Sequence, residues 1–60
     1  MKRFEVEGQE SGEVKSFDTL AQARRFVKEA QRFDRENGLD GEVWTITDNK
    51  VALIVEVIKA

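Results

Sequence analysis

The sequence has 60 residues, of which 37% are charged and 40% are hydrophobic, and its formal net charge is −2 at pH 7. A chain of this length is expected to form one domain, residues 1–60, around a single thin core, and its composition is typical of a soluble globular protein. Because cysteine, histidine and tyrosine are absent, disulfides, thiolate metal sites and the usual nucleophile–base pairs are excluded.

Two features bear on localisation. The longest apolar run, Val51 to Val55, is far too short to span a bilayer. The opening residues, MKRFEVEG, lack the apolar segment of a secretory signal. We therefore expect a cytoplasmic protein that does not enter a membrane.

The N-terminal third predicts a β-hairpin. Residues 2–7, KRFEVE, alternate apolar and charged, with Phe4 and Val6 on one side, which is the period of a half-buried strand. The segment GQESG then forms a polar turn, and residues 13–17, EVKSF, return as a second, short strand.

The next segment predicts an amphipathic helix with clear end signals. Thr19 is a suitable N-cap, and Gln22 completes a capping-box pattern. Gly38 is placed to end the helix in a left-handed conformation. The positions expected to form an apolar stripe facing the core are Leu20, Ala23, Phe26, Val27, Ala30 and Phe33.

The C-terminal third predicts a second hairpin, EVWTIT and KVALIVEVI, with a two-residue turn at Asp48–Asn49. The last segment is apolar on both faces, which is typical of a central strand, so we expect it to pair with the first strand. The predicted fold is therefore α+β, in the order ββαββ: a single antiparallel four-stranded sheet with one helix packed on one face.

One face of such a sheet has no helix over it. Trp44 and Ile46 are expected to point under the helix, and the strand residues expected to join them in the core are Phe4, Val6, Leu53 and Val55. The residues expected on the open face are Val43, Thr45, Ile54 and Ile58, edged by Glu5, Glu7 and Glu56. In the reverse register Trp44 would be exposed, where tryptophan is a strong recognition residue. In either register an aliphatic patch remains, which indicates a homodimer or partner interface.

Catalysis would have to rest on carboxylates. Those at loops or element ends, and expected to be solvated surface groups, are Asp34, Glu36, Asp40, Glu42 and Asp48. The run DRENGLDGE does not fit a calcium-binding EF-hand loop, because the fifth position from Asp34 is Gly38. The segment GQESG lacks the Lys-Ser/Thr of a phosphate-binding loop. We therefore expect no enzyme activity, no metal and no cofactor.

The helix carries a basic face beside its apolar stripe. Two of its cations have a glutamate four residues on, at Arg25–Glu29 and Arg32–Glu36, whereas Arg24, Lys28 and Arg35 have none. This face is either a solvated outer surface or a docking face for an acidic partner. Nucleic acid is the weaker partner, because the chain is acidic and no aromatic residues are interleaved with the cations. The residues that would bind a partner are Arg24, Lys28, Arg32 and Arg35.

Two stretches, SFDTLAQARRFVKEA and GEVWTITDNKVALIVEV, resemble small proteins encoded by bacteriophages and mobile elements, some of them similar to type I-F anti-CRISPR inhibitors. The shared pattern is a helix opening Ser/Thr-Leu-x-x-Ala and a final hairpin of the form Gly-x-Val-x-x-Ile. The matching residues are Thr19, Leu20, Ala23, Gly41, Val43 and Ile46. The resemblance implies a phage-type accessory protein in the host cytoplasm, and it carries over no functional residue.

These observations lead to three hypotheses. The first is a non-enzymatic accessory protein that binds a host protein, such as a defence or transcription component, through the basic helix face. The second is a weak, non-sequence-specific nucleic-acid-binding module that uses the same face. The third is a structural homodimer joined through the open sheet face.

Overall fold

The computed structural model describes residues 2–60. Its elements are β1 (Phe4–Gly8), β2 (Val14–Phe17), α1 (Leu20–Glu36), β3 (Trp44–Asp48) and β4 (Leu53–Ile58). All paired strands are antiparallel, and they form one four-stranded sheet with α1 packed against it. The predicted ββαββ fold is confirmed.

The strand order is β2-β1-β3-β4, so the prediction that the last strand lies centrally and pairs with the first is wrong. The strand beside β1 is β3, and Val6 lies opposite Ile46 in that pairing. β3 contributes Trp44 and Ile46 to the core beneath the helix. β4 lies at the edge of the sheet.

The core lies between α1 and the two central strands. Its buried members are Phe4, Val6, Ala23, Val27, Trp44 and Ile46. The predicted burial of Trp44 is confirmed, since this residue is 3% exposed. The placement of Leu53 and Val55 in the core is wrong, because both are exposed on β4 and the helix lies over β1 and β2.

The helix ends follow the sequence signals. Thr19 Oγ1 accepts a hydrogen bond from the Gln22 N–H at 3.2 Å, and Gln22 Oε1 accepts one from the Thr19 N–H at 3.1 Å, so the capping box is confirmed. Gly38 has a φ of 70°, as expected for a left-handed residue after the helix. The apolar stripe is buried or half-buried except at Phe33, which is 62% exposed.

The turn between β3 and β4 is longer than predicted. Asp48 is the last residue of β3, and four residues, 49–52, connect it to β4. The carbonyl of Asp48 accepts a hydrogen bond from the Val51 N–H at 3.2 Å, and Ala52 has a φ of 57° before β4 begins. The two-residue turn at Asp48–Asn49 is therefore wrong, because Asp48 is held inside the sheet.

The turn between β1 and β2 is held in place by Glu42, a residue that follows α1 in the sequence. Glu42 Oε1 accepts hydrogen bonds from the Glu10 and Ser11 N–H groups at 2.8 and 2.9 Å. A Cβ on Gly8 would lie 2.6 Å from the same oxygen, so a larger residue there would push the Glu42 carboxylate out of its present position. The hairpin tip and the segment before β3 are thereby held together.

Candidate protein-binding surface

The four cations predicted to bind a partner are all exposed on α1, but they are not equally free. Arg24 Nε lies 2.7 Å from Glu56 Oε1, and Arg32 Nε lies 3.1 Å from Glu36 Oε1. Lys28 and Arg35 form no ion pair with any residue from 2 to 60. The pair predicted between Arg25 and Glu29 does not form either.

The open face of the sheet agrees with the prediction at Thr45 and Ile54 but differs from it elsewhere. Cross-strand partners share a face, and the pairs Thr45–Val57 and Thr47–Ile54 place both threonines with aliphatic residues on the side away from the helix. Glu5 and Glu7 lie opposite these threonines on β1 and extend the same face. Val43 lies just before β3, half-buried, and its carbonyl accepts a hydrogen bond from the Gln9 N–H at 2.9 Å.

Two residues assigned to the open face or its rim lie on the helix side instead. Ile58 is opposite the buried Trp44 and packs against the core, and Glu56 is opposite the buried Ile46. Both predictions are wrong because the register shifts between Ile46 and Thr47. This β-bulge leaves Val55 without a cross-strand partner and reverses the alternation expected along β4.

The strongest feature of the surface is β4 itself. Val55 is 47% exposed, and Leu53, Ile54 and Val57 are each more than half exposed. Because β4 is the last strand of the sheet, its backbone on the side away from β3 has no strand to pair with among residues 2–60. Exposed edge strands with aliphatic side chains pair readily with other chains.

The opposite edge strand, β2, has features that oppose pairing with a strand of another chain. It has four residues, VKSF, against six in β4. A lysine, Lys15, lies in the middle of it, and charges and short length both oppose pairing with another strand. β4 also carries a charge, Glu56, and the bulge at Val55, so the features that mark it as the candidate binding strand are its greater length and its exposed aliphatic side chains.

The basic helix face and β4 form one continuous surface. The Arg24–Glu56 ion pair joins them, and Gln31 Nε2 donates a hydrogen bond to the Lys59 carbonyl at 2.9 Å. Between these two contacts lies a shallow groove of about 280 Å³, lined by Lys28 and Ile58 among others. Sequence reasoning found the cations but missed their position beside an apolar edge, because that position depends on strand order.

The carboxylates offer little acid–base chemistry. Asp48 is 6% exposed, contrary to its prediction as a solvated group, and it accepts hydrogen bonds from Arg3 Nε and Nη2 at 3.0 and 2.9 Å. These bonds hold the pKa of Asp48 below its usual range. Burial would raise the pKa of Glu42, but the hydrogen bonds from Ser11 and Glu10 outweigh it and lower that pKa. Both groups are held as carboxylates, which act as structural acceptors.

Comparison with protein-family models, curated protein sequences and solved structures gives no match. Within residues 2–60, no group of three or more carboxylates is arranged to hold a metal ion. The same part of the chain contains no helix with the length and apolar character needed to cross a membrane.

Proposed function

We propose that this protein is a non-enzymatic protein-binding module that takes up an extended segment of a partner protein as an additional strand along β4. The observation that carries the proposal is the row of exposed aliphatic side chains on an edge strand, at Leu53, Ile54, Val55 and Val57. In strand addition, main-chain hydrogen bonds supply affinity and alternate side chains supply specificity.

The energetics favour a partner on this edge. Covering a half-exposed valine or leucine removes apolar surface from water and contributes roughly 1 kcal/mol for each side chain. The new backbone ladder satisfies N–H and C=O groups that otherwise face solvent, and each net hydrogen bond adds about 1 kcal/mol. These terms act against the entropy lost when a short flexible segment becomes ordered.

The charge beside β4 indicates the kind of segment that it binds. Arg24 and Lys28 flank the edge on the helix side, and Lys28 has no carboxylate partner in residues 2–60. Arg32 and Arg35 continue the positive face toward the end of α1. An extended segment carrying acidic side chains on its helix-facing side would therefore be attracted and oriented.

The partner that we propose is a host protein, such as a defence or transcription component, in the cytoplasm of a cell that carries a phage or mobile element. This part of the proposal rests on the resemblance described above. The nucleic-acid alternative is less well supported, because the chain is acidic overall and two of the helix arginines, Arg24 and Arg32, already bind carboxylates, which leaves few cations to bind phosphate.

Two valines with nearly equal exposure provide the test. Val55 on β4 is 47% exposed and Val14 on β2 is 48% exposed, so the same substitution at each compares the two sheet edges. Immobilised wild-type protein is used to capture a partner from a bacterial cell lysate, and the captured protein is then purified and titrated against each variant. Val55→Lys is expected to weaken binding at least tenfold, because it places a charge on the pairing edge.

Val14→Lys is the control and should bind like the wild type, with circular dichroism confirming that both variants fold. A second arm uses Lys28→Glu, which should weaken binding several-fold and reduce its salt dependence, compared with Arg25→Glu on the same helix. Equal loss from both valine variants, or full affinity in Val55→Lys, would remove β4 as the binding edge.

A further inference from the structure

A second surface, which shares no residue with the β4 groove, lies between α1 and the β1–β2 tip. It is a groove of about 440 Å³ with Phe26, Ala30 and Phe33 on the helix side and Trp44 at its base. Phe33 belongs to the apolar stripe of α1, yet it is 62% exposed. Ligand-binding sites are typically lined by hydrophobic and aromatic side chains, as this groove is.

Trp44, which lines this groove, carries a hydrogen-bond donor that has no acceptor in the described residues. Its ring is 3% exposed and packs edge-on against Phe26, with ring centroids 5.6 Å apart. Its Nε1–H group is buried and has no acceptor within residues 2–60. A buried N–H without an acceptor costs about 1–3 kcal/mol, so an acceptor supplied by a ligand would be favourable.

The charges around the groove all have one sign. The carboxylates that line it are Glu13, Glu29, Asp34 and Glu42. Glu42 is committed to the backbone of the hairpin tip, whereas the other three form no ion pair with any residue from 2 to 60. No lysine or arginine lines the groove. Its charge is complementary to a cation, opposite to that of the basic face of α1.

We propose that this groove binds a short cationic peptide segment. An apolar side chain of the segment packs on Phe33 and Trp44, lysine or arginine side chains on either side meet Glu29 and Asp34, and a backbone carbonyl accepts the Trp44 Nε1–H. The volume lies at the small end of the range for ligand sites, which suits a few residues of peptide. Because Nε1 has less than 1 Å² of accessible surface, the side chains that cover it have to shift for the carbonyl to reach it.

The test uses Trp44 itself, which is the only tryptophan in a chain without tyrosine, so its fluorescence has no background. The probe is acetyl-Lys-Leu-Lys-amide, and the matched control peptide is acetyl-Glu-Leu-Glu-amide. The cationic peptide should produce a saturable change in Trp44 emission that high salt weakens. The Trp44 indole N–H resonance of ¹⁵N-labelled protein should move downfield as the carbonyl binds.

Variants separate the groove from β4. Phe33→Ala and Asp34→Asn should each weaken the cationic peptide several-fold, whereas Leu53→Ala, at a β4 residue with nearly the same exposure as Phe33, should have no effect. An equal response to both peptides, no saturable response, or an indole N–H resonance that does not move when the peptide is added would overturn the proposal. None of these outcomes bears on the Val55→Lys test, because the two surfaces share no residue.

Discussion

The carboxylate of Asp48 joins the end of β3 to the residue before β1, at one end of the sheet's central strand pair. Both of its oxygens accept hydrogen bonds from the guanidinium of Arg3, and Oδ1 also accepts one from the Lys50 N–H at 3.0 Å. The Arg3 bonds raise the pKa of that guanidinium and lower the pKa of Asp48. One residue thus fixes the N-terminal entry to β1 and the start of the turn after β3.

This arrangement predicts how stability depends on pH. The pKa of Asp48 is lower in the folded protein than the value of about 3.9 expected in the unfolded chain. Its contribution is therefore complete above about pH 5 and is lost as the pH falls through the folded pKa. Asp48→Asn should be less stable than the wild type at neutral pH, and the two stability curves should converge in acid. Urea unfolding over that pH range measures both.

The control for this experiment is Asp40→Asn, at an exposed carboxylate that makes no hydrogen bond or ion pair in the described chain. Its curve should remain parallel to that of the wild type. Some acid sensitivity will persist in Asp48→Asn, because Glu42 also has a lowered pKa. Parallel curves for Asp48→Asn and the wild type would mean that the Arg3–Asp48 contact does not stabilise the fold.

The sequence could not reveal this role, because Arg3 and Asp48 lie 45 positions apart and meet only when β3 pairs with β1. The turn signal at Asp48–Asn49 was local and suggested that both residues leave the sheet. The long-range contact outweighs that local preference. The same limit applies to Glu42, whose partners at Glu10 and Ser11 become neighbours only through the fold.

Among the elements, α1 was the most predictable because its signals are local. Its N-terminal capping box spans four residues, and its apolar stripe follows from the helical period. Thr19→Ala should destabilise the protein by about 1 kcal/mol, because the Gln22 N–H loses its acceptor. Chemical denaturation measures the change, and Thr19→Ser should keep most of the stability. Equal loss in both variants would show that the threonine methyl group, and not the cap, is responsible.

The strand β4 was the least predictable element for an equally physical reason. Apolar residues on both faces are typical of a strand covered on both sides, and sequence alone does not say whether the cover is the same chain or another molecule. The bulge at Val55 then breaks the two-residue period on which the assignment of faces depended. Ile58 and Glu56 moved to the helix side for this reason, and Ile54 stayed on the open face.

At the scale of the molecule, positive and negative charges lie in different regions of the surface, and each region adjoins exposed apolar side chains. The positive face of α1 lies beside the apolar edge of β4, whereas the groove with Phe33 at its mouth is lined by carboxylates. The formal net charge of −2 does not reveal this separation, because the 10 cations and 12 carboxylates of the chain nearly cancel in the sum. A molecule with such a distribution is oriented by the field of a charged partner before contact.

The expected oligomeric state depends on the surface area that self-association through β4 could bury. A strand of six residues is small compared with the roughly 800 Å² per partner of a stable interface. We therefore predict a monomer of 6.9 kDa at low micromolar concentration, measured by light scattering after size exclusion at low and high salt. Weak self-association through β4 should appear only at much higher concentration, should survive high salt because the contact is apolar, and should be absent in Val55→Lys.

A homodimer through the open sheet face makes a different prediction in the same experiment. It should persist at micromolar concentration, and Ile54→Lys should convert it to a stable monomer, because Ile54 lies on the face away from the helix. Such a dimer would bury Ile54 and Val57, so the aliphatic surface proposed for a partner would already be covered. A micromolar dimer that high salt leaves intact would therefore contradict the proposed strand addition, whereas a monomer leaves β4 open to receive the acidic segment.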